Sequence, residues 1–159
     1  MINYTRMNVQ RMNRWDKTVV INAELQERLE HITTPQIWLV LTEAWCGDAA
    51  QNIPFFVKLA NHNPLIELRF ILRDQNPEIM DAYLTNGGRS IPKLVALNRD
   101  NFEELFTWGP RPQVLQKKFE AYLEDSKGVS QGEFMESMHL WYARDKNNNI
   151  NAEFMTLIN

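Results

Sequence analysis

The sequence predicts an α/β fold: a central mixed sheet of about four strands flanked by helices, with a helical extension at each end of the chain. Three observations carry this. The apolar segments "QIWLVL" and "LIELRFIL" lie on either side of a helical pattern, an order that implies a right-handed crossover and a parallel strand pair. The segments "KLVALN" (93–98) and "FEELFTW" (102–108) are separated only by the turn-like Arg99-Asp100-Asn101, the spacing of an antiparallel hairpin. Helical periodicity fills the remainder of the chain, including both ends.

Each element has a local reason. Residues 3–20 are polar, with Tyr4, Met7, Met12 and Trp15 interspersed, and read as a helical arm lying across the main domain. Asn22 is placed to cap a helix ending near Glu30, with Ala23, Leu25, Leu29 and Ile32 as its broken apolar stripe. The continuous run Ile37 to Leu41 suits a strand buried on both faces. After Cys46, the positions Ile53, Phe56, Val57 and Ala60 share one helix face, and Pro54 inside that helix is expected to kink it. Ile66, Leu68, Phe70 and Leu72 alternate with Glu67 and Arg69, which is strand periodicity. "NPEIMDAYLTNGG" predicts a short helix with Asn76 as its cap, Pro77 at its first position and Gly87-Gly88 as its stop. Past Gly109-Pro110-Arg111-Pro112, the residues Val114, Leu115, Phe119, Tyr122 and Leu123 mark another helix. "DSKGVSQGE" reads as a linker, Phe134, Met138, Trp141 and Tyr142 as one more amphipathic helix, and "AEFMTLI" as a short last piece. The expected division is an arm at 1–20, a main domain at 21–126 and a helical extension at 127–159.

Composition narrows the function classes. The chain has 159 residues, 44% of them hydrophobic, with 8 Phe and 5 Trp, ample for a core. Its net charge is -3 and its basic residues are scattered, so no footprint for a nucleic-acid backbone is present. Neither a signal peptide nor an apolar run of about 20 residues is visible, which leads to the expectation of a soluble cytoplasmic protein without a membrane partner. A single cysteine excludes an internal disulfide and any multi-cysteine metal site within one chain.

That cysteine lies in "WCGDAAQNIP", between the first apolar strand and the following helix. A thiol in the first turn of a helix faces unpaired N–H groups and the positive end of the helix dipole, so Cys46 is expected to be more acidic than a free thiol. Asp48 opposes this, and the two are expected to titrate as a coupled pair.

The order of elements, with Trp45-Cys46-Gly47 ahead of the helix, Pro54 eight residues after Cys46, Ile91-Pro92 opening a strand and Gly109 closing the hairpin, resembles the thioredoxin fold. More narrowly, "TEAWCGDAAQNIP", "ELRFILRDQNPEIMDAYLTNGGRSIPKLVALN" and "WGPRP" look like a bacterial branch of thioredoxin-like proteins with a Trp-Cys-Gly-Asp active site. The resemblance covers roughly residues 15–125. It implies that Cys46 is the catalytic thiol, with Trp45, Gly47, Asp48, Ala49, Ile91 and Pro92 as its active-site neighbours. It also implies a cis Ile91-Pro92 bond that faces the cysteine and offers backbone to an extended peptide or to glutathione. Trp45 either flanks this site or packs in the core.

Ala49 stands where the family carries its second cysteine. In a dithiol protein that second thiol releases the mixed disulfide formed by the first. Here an outside thiol must do so, and glutathione is the expected co-substrate, with no resident cofactor or metal. Expected partners are protein or low-molecular-weight thiols and disulfides. The alternative is a binding or scaffold module that keeps the fold without the chemistry. An iron–sulfur site shared between two chains with glutathione is a weaker third reading.

Other motifs carry less. His31, His62 and His139 have no ligand spacing and read as surface residues. "DKNNNINAEFMT" imitates half of a calcium loop, but has Ile150 in place of the glycine and Thr156 in place of the closing glutamate, so it reads as an Asn-rich turn. Thr42 lies four residues before Cys46, one too many for a peroxiredoxin-type site. Arg89 is either an anion contact beside the site or a solvated side chain.

Overall fold

In a computed structural model, which describes residues 2–158, four strands form one mixed sheet. They are β1 (Gln36–Thr42), β2 (Ile66–Leu72), β3 (Lys93–Asn98) and β4 (Glu104–Trp108), in the order β2-β1-β3-β4. β1 pairs parallel with β2 and antiparallel with β3, and β3 and β4 form the antiparallel hairpin. This is the mixed four-stranded α/β arrangement expected from the sequence. β1 is central and covered on both faces, which is why it reads as a continuous apolar run. β2 is an edge strand, so its alternation ends in exposed residues, and Phe70 and Leu72 lie open to solvent.

Among the described residues seven α-helices surround the sheet: α1 (Ile2–Thr18), α2 (Ala23–Glu30), α3 (Gly47–Ala60), α4 (Pro77–Asp81), α5 (Gln113–Glu124), α6 (Gln131–Asp145) and α7 (Asn148–Leu157). The Asn22 side chain caps α2 by accepting from the Leu25 N–H at 2.7 Å. α1 packs along α3 and is tied down by Trp15, whose indole N–H donates to Gln51 Oε1, and by Asn8, whose side chain donates to the Ala44 carbonyl at 3.0 Å. Asn8 and Trp15 are therefore buried although most of α1 is polar.

Three local expectations are corrected. Asn76 stands at the start of α4 but its side chain does not cap it, donating instead to the Leu72 carbonyl. α4 stops at Asp81, well before Gly87-Gly88, which belongs to a tight turn in which Thr85 and Gly88 exchange two backbone hydrogen bonds. The segment read as a linker already contains the start of α6. Ser130 accepts from the Glu133 N–H and Glu133 reaches back to the Ser130 N–H, a capping box that fixes the helix start and puts Gly132 inside it.

The last two helices belong to the core. α7 places Phe154, with no exposed surface, against the rings of Trp38, Phe55, Phe56, Phe106 and Trp108. Glu153 on the same helix accepts from Trp108 Nε1 and from the Gln113 N–H, both at 2.6 Å. Arg28 of α2 donates to the carbonyls of Met155 and Ile158. No helix among the described residues is long and apolar enough to cross a membrane.

Candidate active site

Cys46 is the N-cap of α3, in extended backbone conformation, and its sulfur accepts from the Ala49 N–H at 3.5 Å. Across the gap it donates to the carbonyl of Ile91 at 3.3 Å. The Ile91–Pro92 peptide bond is cis. Sequence-predicted Cys46, Gly47, Asp48, Ala49, Ile91 and Pro92 therefore converge at the start of α3, and Trp45 lies half-buried beside them with the Arg73 guanidinium 4.9 Å above its ring.

The expected acidity of Cys46 is reversed. Burial pushes the thiol up to about 11, the Asp48 charge adds to the rise, and the N–H groups of Ala49 and Asp48 with the Arg111 guanidinium pull the other way without prevailing. The helix terminus does favour the thiolate, as anticipated, but Cys46 is only 9% exposed, and desolvation outweighs it. Exposure is the quantity that no sequence pattern around the cysteine reports.

Asp48 is buried within a network that sequence reasoning missed. Arg111, from the loop after β4, gives two N–H groups to Asp48 Oδ2 at 3.1 and 2.7 Å, and the Tyr142 hydroxyl of α6 donates to Oδ1 at 2.7 Å. Asn52 donates to the Tyr142 oxygen at 3.0 Å and to the Asp48 carbonyl at 2.8 Å. Gln116 accepts from Arg111 at 2.7 Å, and the guanidinium lies 4.3 Å from the Phe119 ring. The signal for Arg111 was present in its position between two prolines next to Gly109. Tyr142 was legible only as one apolar position of a helix.

His139 is corrected from surface residue to part of this neighbourhood. It is half-buried, its Nδ1 lies 3.0 Å from Gln51 Nε2, and a Cβ added at Gly47 would come within 2.7 Å of its ring. Burial lowers the imidazole to about 4, with the Arg11 charge assisting and Asp48 opposing. An unfolded histidine takes up its proton near 6.5, so between about 6.5 and about 4 unfolding is accompanied by proton uptake. Stability is expected to fall as pH drops through that window, and His139→Gln should flatten this part of the profile, as followed by urea denaturation at pH 7 and pH 4.5.

Arg89 is committed elsewhere, forming a two-point pair with Asp81 at 2.7 and 2.8 Å. The Asn-rich turn has Lys146 and Asn147 in left-handed conformation and is closed by Asp145, which accepts from Asn149. Among the described residues no group of three or more His, Cys, Asp or Glu is arranged to hold a metal ion.

A family model described as thioredoxin matches residues 1–125, and the chain belongs to that family. Thioredoxin C-3 of Corynebacterium nephridii is 29% identical over 84 residues, a match spanning 53% of this chain and 56% of that protein. A crystallised protein of unknown function from Pseudomonas aeruginosa superposes with a TM-score of 0.71 at 20% identity, over 96% of this chain and 84% of the other. An HIV epitope-scaffold gives 0.68 at 18% identity, over 99% of this chain and 90% of the scaffold. At these identities the two structures support the fold.

Proposed function

We propose that the chain is a monothiol thioredoxin-like protein that acts in the bacterial cytoplasm on protein or low-molecular-weight disulfides through Cys46, with glutathione or a similar thiol as the resolving partner. The observation that carries this reading is the placement of the one cysteine at the start of α3 against the Ile91 carbonyl, with Ala49 in the second position. The Cys46 thiolate attacks one sulfur of a mixed disulfide between glutathione and a protein. A new S–S bond to glutathione forms, and the protein thiolate leaves with the electron pair of the broken bond. A second glutathione thiolate then attacks the glutathione sulfur bound to Cys46, releasing oxidised glutathione and the Cys46 thiolate.

With the thiol pushed up to about 11, roughly one molecule in a few thousand carries the thiolate near pH 7.5. Turnover therefore depends on a substrate that displaces the Ile91 contact and opens the site. The same buried, poorly ionised sulfur favours a second reading, in which the fold is a binding module without redox chemistry. Intact-mass measurement after incubation with oxidised glutathione and a glutathionylated peptide separates the two. The redox reading expects one adduct per chain, lost in Cys46→Ser and removed by added glutathione. No adduct at pH 8 after prolonged incubation would leave the binding module.

A further inference from the structure

We propose that Arg111 and Tyr142 are positioning residues for Cys46: they compensate the Asp48 carboxylate beside it, so that α6 takes part in setting the reactivity of the thiol. This rests on the reading of Cys46 as the reacting group.

Asp48 lies two residues from Cys46 on the first turn of α3 and is 6% exposed. A carboxylate so buried needs partners for both oxygens, and removing one partner from a buried ion pair is strongly destabilising. Each oxygen is taken by a different element: Oδ2 by the guanidinium of Arg111, Oδ1 by the hydroxyl of Tyr142. Asn52 donates to the Tyr142 oxygen, which leaves the hydroxyl proton directed at Asp48. Burial and Asp48 push the Tyr142 ionisation well up, so it remains a donor. Arg111 is itself held by Gln116 and Phe119, and Gln116 in turn donates to Glu120 at 2.8 Å.

The charged side chains acting on the sulfur are Asp48 and Arg111, of opposite sign. His139, which faces the same turn from α6, is held neutral. Arg11 of α1 approaches Gly47 and spends one N–H on Asn8 Oδ1 at 2.8 Å. The thiol thus sits beside a balanced pair whose positive member comes from the loop after β4 and whose second donor comes from α6. Disturbing either member shifts the balance in a direction fixed by its sign.

The test is the pH dependence of Cys46 alkylation by iodoacetamide in the folded full-length protein, with circular dichroism as the check on folding. Asp48→Asn is expected to move the midpoint down by about one unit, tenfold in thiolate fraction at a given pH. Arg111→Met is expected to move it up, Tyr142→Phe to move it up by less, and Arg111→Lys, which keeps the charge but loses the fork, to stay nearer to wild type than Arg111→Met does. An unmoved midpoint in folded Asp48→Asn overturns the proposal, and so does an Arg111→Lys profile that matches Arg111→Met. Should Arg111→Met fail to fold, Asp48→Asn and Tyr142→Phe decide, and an unmoved midpoint in either overturns the proposal. Alkylation requires no disulfide substrate, so failure of this inference (unmoved midpoints) is read separately from failure of the proposed function (no glutathione adduct).

Discussion

Phe154→Ala is expected to lower the unfolding free energy by about 3–5 kcal/mol, the range for removing a fully buried aromatic ring. The reason is its position. Phe154 has no exposed surface and lies at the meeting point of α3, α7, β1 and β4, touching two tryptophans and three phenylalanines. The rings around it belong to different elements, so the space left behind cannot close by one side chain turning inward, and the full cavity term applies. Urea denaturation monitored by tryptophan fluorescence measures the loss directly, because Trp38 and Trp108 border the site. A loss below about 1 kcal/mol would mean that α7 is peripheral to the core, contrary to the packing described. The conservative Phe154→Leu should fall well short of the alanine loss, since most of the volume is retained.

The same residue shows where sequence reading reached its limit. β1, β3 and the capped α2 were legible because their signals are local: an apolar run, a turn and an Asn cap. The placement of Cys46 at the start of α3 was legible for the same reason. α7 is short and Asn-rich at its start, and nothing within "AEFMTLI" says that its phenylalanine will fill the centre of an aromatic cluster formed by residues 46 to 116 positions earlier. Tyr142 and Asp48 are likewise 94 residues apart, and their hydrogen bond is a product of tertiary packing that no spacing records. The acidity of Cys46 failed in the reading for a related reason. Helix position favours the thiolate locally, whereas burial is decided by the whole fold, and burial prevailed.

Gly109→Ala is expected to be comparably damaging and to reach the active site. Gly109 has φ of +118°, a conformation that side chains avoid, and a Cβ built there would lie 2.1 Å from the carbonyl oxygen of Pro92 and 3.2 Å from its carbon. The obstacle is backbone, so no rotamer change relieves it. A strained φ at a non-glycine residue costs about 1–3 kcal/mol, and overpacking of this kind about 1–3 kcal/mol more. Relief requires the chain around Gly109 to separate from Pro92, and Pro92 follows the Ile91 whose carbonyl accepts from Cys46. Lys93, which donates to the Gly109 carbonyl at 3.1 Å, would lose its partner in the same movement. Two measurements should change together: the denaturation midpoint falls, and Cys46 in the folded variant becomes more readily alkylated at pH 8 because its sulfur is no longer held against Ile91. A stability loss with wild-type alkylation would show that strain at Gly109 is absorbed on the β4 side, leaving the Ile91 contact intact. A variant as stable as wild type would contradict the close approach of these two backbone segments.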